Sequence, residues 1–360
     1  MKFAIIAAGA AAGFSTIVVV VVVGVILGAF LAMHHPAAAA YAQPASATNG
    51  STGLADFNIA AVGDWGCDSE TEDTVDNIIS KSPEMVLGLG DNGHEHNNVD
   101  CWFEIVEPID DIMKTVIGNH EIEDGNLDEI LEHYDDDFQS KQYYSFRYSN
   151  TFVLVMSKET EYEEDSEQYE FVEESLENAS SDSSIDWIIV AVHRQMYGSP
   201  TSAVGHEDSD LIDAYHPLFQ KYGVDLVLSG HNHYYERTYP LNYYSDEEND
   251  DDDDSDGPFI TTREATNYYS NPDGQIFITI GTGGESIFEF NDRKPYVVSQ
   301  FDEGYGFLDI TITDGGKRLV GVFYENDGSI EDEFTVTKEG MSLEVTELDE
   351  EDEEEEDDDN

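Results

Sequence analysis

The sequence predicts an α/β fold in which buried strands alternate with helices. Six short apolar runs rich in Val, Ile and Leu are each stopped by Gly or, once, by His, which is typical of buried strands. These predicted strands span residues 57–62, 85–89, 115–117, 185–192, 224–229 and 275–280. Stretches of helical character lie between them, at residues 71–81, 101–113, 127–134, 167–179 and 210–222. Because strand and helix alternate, we expect functional side chains at the carboxyl ends of the strands.

Polar or glycine-rich motifs follow all six predicted strands. In chain order they are Gly63-Asp64-Trp65-Gly66, Gly90-Asp91-Asn92-Gly93-His94, Gly118-Asn119-His120-Glu121, Val190-Ala191-Val192-His193, Gly230-His231-Asn232-His233 and Gly281-Thr282-Gly283-Gly284. Asp, Asn and His side chains suit Zn, Fe or Mn better than Ca, and a carboxylate shared by two cations offsets their mutual repulsion. If these side chains meet at one sheet edge, they form a two-metal hydrolytic site. The glycines at 281–284 indicate either an ordinary turn or a close backbone approach to that site.

The order of these motifs resembles the calcineurin-like metallophosphoesterase superfamily, in particular its purple acid phosphatase branch. The resemblance covers roughly residues 56–338 and implies a four-layer αββα sandwich with two mixed β-sheets around a dinuclear metal centre. It implies that one metal binds Asp64, Asp91 and His233, and that the other binds Asp91, Asn119, His193 and His231. The metals would be two divalent or mixed-valence ions of Fe, Zn or Mn.

The resemblance also implies a reaction, the hydrolysis of phosphate monoesters by a metal-bound hydroxide. The substrate would be a phosphorylated small molecule, and no Ser or Cys nucleophile is needed. Hydrolysis of phosphodiesters or nucleotide pyrophosphates is the alternative within the enzyme class. A surface module that binds metal or phosphate without turnover is the alternative outside it.

His94 is a departure from the purple enzymes, which carry Tyr three residues after the bridging Asp. Other metallophosphoesterases place a His where this chain has Gly66, so the first metal would lack one ligand. We therefore expect His94 to bind the first metal, with His96 as the alternative ligand. The other possibility is that both histidines simply line a polar loop and bind no metal. Without a phenolate, a divalent pair is favoured over a stable ferric ion.

Two further histidines are candidates for contact with the substrate. In the family, the His after the ligand Asn faces the substrate, which implies that His120 binds phosphate or protonates the leaving group. His206 lies thirteen residues beyond His193 and is a second candidate phosphate contact. The alternative for His206 is a solvated loop residue.

The composition is strongly acidic, with 79 Asp and Glu against 15 Lys and Arg and a formal net charge of −64. Two acidic runs, at residues 246–256 and 344–359, contribute part of this charge and are expected to be solvated and disordered. The remaining chain is still acidic, and its self-repulsion is relieved only at high ionic strength. The composition therefore favours a high-salt environment and argues against binding to nucleic acid.

The amino terminus predicts a membrane anchor. Residues 3–33 carry no charge, and about 20 apolar residues span a bilayer. We expect an anchor at 1–33, a flexible linker at 34–53, an extracellular catalytic domain at 54–342 and an acidic tail at 343–360. Cleavage after Ala42, with secretion of the enzyme, is the alternative.

Two further expectations concern the fold around the site. Cys67 and Cys101 follow the first two motifs and fit a disulfide in an exported protein, with free thiols or soft-metal ligands as the alternatives. The carboxyl third contains predicted strands at 307–312, 318–324 and 333–337. Together with a hairpin at 143–148 and 152–156, these strands are expected to form a second, mostly antiparallel sheet.

The acidic composition gives a direct prediction about stability. The thermal unfolding temperature should rise as KCl increases from low concentration to the molar range, because a Debye length of ~3 Å at 1 M screens most of the repulsion between surface carboxylates. Differential scanning calorimetry across KCl concentrations measures this. An unfolding temperature that stays flat or falls over that range would contradict the halophilic interpretation.

Overall fold

The computed structural model describes residues 54–94, 99–201, 207–243, 258–263 and 265–338. Several sequence predictions lie outside these residues, namely the anchor at 1–33, the linker at 34–53, His96, His206, the acidic run at 246–256 and the tail at 343–360. Within the described ranges, no helix is long and apolar enough to cross a membrane.

The elements occur in an order that mixes strands and helices. The strands are β1 (Phe57–Val62), β2 (Met85–Gly88), β3 (Met113–Thr115), β4 (Tyr144–Tyr148), β5 (Thr151–Met156), β6 (Trp187–Val192), β7 (Leu226–Ser229), β8 (Tyr235–Thr238), β9 (Leu241–Asn242), β10 (Phe259–Ile260), β11 (Tyr268–Ser270), β12 (Ile276–Ile280), β13 (Val297–Phe301), β14 (Gly306–Thr313), β15 (Arg318–Glu325) and β16 (Ile330–Thr337). The α-helices are α1 (Ser69–Lys81), α2 (Asp100–Val106), α3 (Asn119–Glu123), α4 (Leu127–His133), α5 (Asp135–Phe138), α6 (Glu167–Ser181) and α7 (Ser209–Tyr222).

Two seven-stranded sheets form the framework. The first has the order β11-β16-β15-β14-β1-β2-β3, and the second has the order β13-β8-β12-β7-β6-β5-β4. Strands β1, β2 and β3 are parallel, as are β5, β6, β7 and β12, whereas the remaining pairs are antiparallel except β11 with β16. Two mixed sheets with helices packed on them confirm the predicted α/β class.

The long helices begin at side-chain caps that the sequence supplies. Asp68, Ser166 and Asp208 precede α1, α6 and α7, and each side chain accepts a hydrogen bond from a backbone N–H in the first turn. Helix α7 ends at Gly223, which adopts the left-handed conformation that terminates many helices.

One predicted helix is wrong in its second half. The sequence predicts a helix over 101–113, but α2 ends at Val106 and β3 begins at Met113. Pro108 explains the early end, because proline has no N–H to continue a helix and disfavours helical geometry in the residue before it.

The second sheet is buried on both faces. Along β6, the alternate residues Trp187, Ile189 and Ala191 pack in the core that contains the apolar residues of the first sheet. Ile188 and Val190 point the other way, into a core formed with α6 and α7. This double burial explains why the β6 sequence is continuously apolar rather than alternating.

The sequence predicted the wrong partners for the carboxyl-terminal strands. It grouped them with the hairpin at 143–156, but β14 pairs antiparallel with β1 in the first sheet, whereas β5 pairs parallel with β6 in the second. The apolar pattern of a strand marks burial but does not specify the neighbouring strand. The strands that carry the motifs belong to both sheets: β1, β2 and β3 to the first, and β6, β7 and β12 to the second. The expectation of a single sheet edge is therefore wrong.

A buried ion pair ties the two sheets together. Arg237 on β8 donates hydrogen bonds from Nε and Nη2 to the Asp332 carboxylate on β16, at 2.6 and 2.9 Å. The hydroxyl of Tyr235 donates to the same carboxylate at 2.7 Å. Because the Arg237 side chain is almost fully buried, it depends on this carboxylate to balance its charge.

We predict that Asp332→Ala lowers the free energy of unfolding by about 3 to 5 kcal/mol, because it leaves the Arg237 guanidinium buried without its counter-ion. Denaturant unfolding measures this. Glu333→Ala, at an exposed position of the same strand, is the matched control and should change stability by less than about 0.5 kcal/mol. Equal effects of the two substitutions would contradict the structural role assigned to the ion pair.

Candidate metal centre

Asp64 and Asp91 follow β1 and β2, and both side chains are buried, with 0% and 1% of their surface exposed. Both residues adopt positive φ angles, 61° and 53°, a conformation that Asp tolerates better than most residues. The two loops run side by side, since Asp64 N donates to Gly90 O at 3.0 Å and Trp65 N donates to Asp91 O at 3.0 Å. Two buried carboxylates are thus fixed in the loops that follow two neighbouring strands.

Glycines allow the surrounding loops to approach these carboxylates closely. A Cβ atom on Gly118 would lie 2.2 Å from Asp91 Oδ1. A Cβ atom on Gly281 would lie 2.8 Å from Asp64 Oδ2 and 2.2 Å from Asn232 O. Of the two interpretations of the 281–284 run, the geometry therefore supports close backbone approach at the site.

One group of candidate ligands joins Asp91 to the second sheet. Asp91, His193 and His231 present ligand atoms that all lie within 4.8 Å of one another. His193 Nε2 is 3.2 Å from Asp91 Oδ2, and its Nδ1 contacts Leu89 O at 2.8 Å. His231 has a φ of 69°, and its backbone N–H donates to the Asp64 carboxylate.

A second group of candidate ligands also includes Asp91. Asp91, His94 and His120 also present ligand atoms within 4.8 Å of one another. His94 Nε2 is 3.8 Å from Asp91 Oδ2, and the His94 and His120 ring centroids are 3.6 Å apart. His120, predicted to face the substrate, thus lies near Asp91 and His94, and its role in substrate contact stays a prediction.

Asp64 and His233 lie next to His94. His233 Nε2 is 3.4 Å from Asp64 Oδ1, and its Nδ1 contacts Ser286 O at 2.7 Å. The His233 ring lies 5.1 Å from that of His94. The described candidates therefore come from five loops, and their assignment as ligands stays a prediction.

Unpaired polar atoms test whether a cation fits here. Asn119 Oδ1 and His193 Nε2 are buried, yet neither forms a hydrogen bond with any described residue. Most buried polar atoms in proteins are hydrogen-bonded, and a cation beside Asp91 would give these two atoms a partner. A set of imidazole, amide and carboxylate donors suits Zn, Fe or Mn, and the residues therefore fit the implied metals.

The pKa values of the histidines reflect the buried charge. Burial opposes protonation of His193, but the Asp91 and Asp64 carboxylates raise its pKa to about 10. Burial, together with the positive charges of His193 and Arg194, lowers the pKa of His231 to about 2. Without metal, a protonated His193 thus balances Asp91, and metal binding would have to displace that proton.

Glu121 supports the site, although no role beyond membership of its motif was predicted for it from the sequence. Its buried carboxylate accepts backbone N–H groups from Gly118 at 2.6 Å, Asn92 at 2.6 Å and Asp91 at 3.2 Å. Burial and the neighbouring Asp91 charge raise the pKa of Glu121 to about 7. This residue fixes the Asp91 loop to the Asn119 loop.

Arg194 brings a permanent positive charge to the site and was also missed. Its Nη1 lies 3.2 Å from His231 Nε2, and its Nε donates to Glu159 Oε1 at 2.9 Å. A cavity of about 220 Å³ adjoins it, lined by Arg194, Gln195, Glu207, Asp208, Ser209 and His231. The signal was present in the sequence, because Arg194 directly follows His193.

The predicted disulfide is confirmed. Cys67 and Cys101 are bonded, with their Cα atoms 5.8 Å apart. The bond connects the loop after Asp64 to α2, which follows the Asp91 loop. It therefore restrains both carboxylate-bearing loops.

Comparisons with known proteins agree with this geometry. Residues 57–235 match the family model described as Calcineurin-like phosphoesterase. The protein named Probable inactive purple acid phosphatase 1 from Arabidopsis thaliana is 28% identical over 284 residues, which cover 72% of this chain and 44% of the relative. Purple acid phosphatase 15 from the same plant is 27% identical over 264 residues, covering 63% and 44%. A nucleotide pyrophosphatase/phosphodiesterase from Hordeum vulgare is 26% identical over 215 residues, covering 59% and 54%.

A solved structure shares the fold. The purple acid phosphatase PPD1 from yellow lupin (Lupinus luteus) seeds aligns with a TM-score of 0.64 and 23% identity, covering 79% of this chain and 54% of that chain. The chain spans about half the length of the curated relatives it matches. The family model, together with these relatives, shows that the chain belongs to the calcineurin-like phosphoesterase family, with its relatives supporting the purple acid phosphatase branch.

Proposed function

We propose that this chain is a metal-dependent phosphoesterase that hydrolyses phosphate monoesters at a dinuclear centre. One observation carries the proposal: two candidate ligand groups share the buried carboxylate of Asp91. A carboxylate that can reach two cations is what a two-metal hydrolytic site requires. The family match supports the same reaction class.

The proposed ligand set divides into two groups that share Asp91. In this proposal, one ion is held by Asp64, Asp91, His94 and His233, and the other by Asp91, Asn119, His193 and His231. The donors favour two divalent ions of Zn, Fe or Mn, with a mixed-valence pair as the alternative. When bound, two such ions would activate water and neutralise charge on the phosphate oxygens.

His120 is the proposed general acid. Its Nδ1 contacts Asp124 Oδ2 at 3.1 Å, which fixes the ring and leaves Nε2 as the other site for a proton. Its backbone N–H donates to Asp91 Oδ1 at 2.9 Å, so the ring is anchored beside the bridging carboxylate. A proton on Nε2 can then be passed to the leaving-group oxygen as the ester bond breaks. The competing assignment is a metal ligand, since His120 also lies near His94.

Arg194 supports binding of an anionic substrate. Phosphate esters must approach a protein whose formal net charge is −64, and a guanidinium beside His231 attracts and orients phosphate oxygens. A monoester dianion gains more from this charge than a diester monoanion does. The relative named nucleotide pyrophosphatase/phosphodiesterase, together with the cavity beside Arg194, keeps diester and nucleotide hydrolysis as the second candidate.

The proposed location outside the cell rests on the disulfide and on the sequence. A disulfide supports an exported catalytic domain, because such bonds persist mainly in oxidising compartments. Tethering through residues 1–33, secretion after cleavage near Ala42 and a high-salt environment stay predictions from the sequence. So does the expectation that the protein does not bind nucleic acid.

A metal analysis combined with a substrate screen tests the proposed function. We expect about two metal ions per chain, and faster hydrolysis of phosphomonoesters than of phosphodiesters or nucleotide pyrophosphates at molar KCl. Faster diester or nucleotide hydrolysis would favour the second candidate. Two bound metals without hydrolysis of any substrate would favour a non-catalytic module, in keeping with the relative whose name includes "inactive".

We predict that Asp91→Asn removes both metal occupancy and hydrolysis, because a neutral amide bridges two cations poorly. Metal content per chain and the turnover number measure this. Asp76→Asn, at an exposed position of α1, makes the same chemical change away from the site and should leave both quantities unchanged. Two metals per chain and near-normal hydrolysis in Asp91→Asn would refute the dinuclear assignment.

We predict that His120→Ala keeps both metals but lowers the turnover number by ~10² to 10⁴, the usual contribution of a general acid. His133→Ala is the matched control, because His133 pairs with Asp110 away from the candidate centre and should not alter turnover. If His120→Ala instead removes one metal, and activity per bound metal pair is unchanged, His120 is a ligand rather than the acid.

A further inference from the structure

We infer that Glu285 is a positioning residue, which orients His94 toward the first metal through a carboxylate–histidine–metal arrangement. The inference rests on the proposed function, and it assigns a role to a loop residue that follows the glycine run at 281–284. Metal-ligating histidines commonly donate their second ring N–H to a carboxylate or carbonyl, which fixes the ring and strengthens its donor nitrogen.

The two nitrogens of His94 contact different carboxylates. Nε2 lies 3.8 Å from Asp91 Oδ2, on the side of the candidate centre, and Nδ1 lies 3.5 Å from Glu285 Oε2. The His94 side chain is buried, and its Nδ1 forms no hydrogen bond with any described residue. A buried ring nitrogen without a partner is costly, and the Glu285 carboxylate is the group that faces it. A shift of about 0.5 Å would bring the contact to an ordinary N–H···O length.

Glu285 is itself held in an orientation that leaves one oxygen available. Its Oε1 accepts hydrogen bonds from the backbone N and the Oγ of Ser286, both at 2.8 Å. Oε2 is the oxygen that faces His94. The carboxylate is therefore anchored through one oxygen and presents the other to the imidazole.

The same short segment also contacts the remaining candidate ligands of the first metal. The backbone N–H of Glu285 donates to Asp64 O at 3.1 Å. The carbonyl of Ser286 accepts from His233 Nδ1 at 2.7 Å. Two adjacent residues thus restrain Asp64, His94 and His233 together.

Glu285 differs chemically from the groups that contact His193 and His233. His193 and His233 contact neutral backbone carbonyls through Nδ1, whereas His94 faces a carboxylate. An anionic acceptor makes the opposite ring nitrogen a stronger donor to a cation than a neutral carbonyl does. We therefore assign Glu285 a role in the affinity of the first metal site.

Titration of the metal-free full-length protein with Zn²⁺, followed by calorimetry, tests this role. Glu285→Ala should weaken the first site by ~10- to 100-fold, leave the second site unchanged and leave the unfolding temperature of the metal-free protein unchanged. Glu285→Gln, which keeps the shape but loses the charge, should give a smaller loss of affinity. Glu289→Gln is the matched control on an exposed neighbour in the same loop, and should match the wild type. Wild-type affinity in Glu285→Ala would overturn the inference.

A double substitution separates positioning from direct ligation. In a His94→Ala background, Glu285→Ala should cause no further loss of Zn²⁺ affinity, because Glu285 acts through His94. Losses that add in full would mean that Glu285 binds the metal independently, which overturns the positioning role. Failure to load two metals in the wild-type protein would overturn the proposed function instead, so the two failures are distinguishable.

Discussion

The burial of two carboxylates where the ends of two sheets meet is the constraint on which the rest of the described structure depends. Asp64 and Asp91 repel each other and have lost their solvent, so neighbouring groups must supply positive charge or hydrogen-bond donors. Backbone N–H groups of His231 and His120 supply part of this, and the ring of His193 supplies more. Cations in the same place would satisfy the remaining demand. Gly118 and Gly281 lie so close to these carboxylates that a side chain at either position would clash with them.

The sequence specified the ends of the strands better than it specified their partners. Asp64, Asp91 and His193 could be recognised because each ends an apolar run, and the ends of parallel strands carry functional loops. Sheet membership could not be recognised, because the apolar residues of β14 are compatible with burial in either sheet. Arg194 and Glu285 were missed for a related reason: each acts on a residue that is distant in sequence or on another loop, and a motif contains no such contact. Glu121 was visible within its motif, but only the structure shows that it binds three backbone N–H groups.

The charge of the whole chain and the charge of the site act in opposite directions on a phosphate ester. An acidic surface concentrates cations and repels anions, which favours metal loading and opposes substrate approach. Arg194 and a pair of bound cations would make the electrostatic potential positive at the site itself. This effect would act over distances shorter than the Debye length of a dilute salt solution. At molar salt the long-range repulsion is screened, while contacts within the buried site are screened much less. The same ionic strength therefore relieves surface repulsion without removing the local attraction for phosphate.

In the proposed centre, His94 takes the position of a phenolate, which would change the charge that the ligands can balance. A neutral imidazole contributes one negative charge less than a phenolate, so the ligand set is less able to stabilise a trivalent ion. In the inferred arrangement, the Glu285 carboxylate lies 3.5 Å from His94 Nδ1, where its negative charge would strengthen the opposite ring nitrogen as a donor. Such a set suits a divalent ion, whose charge needs less compensation and whose bond to nitrogen is favourable. If His94 binds the first metal, it would act as one unit with Glu285, and its strength as a donor would depend on the loop that follows β12.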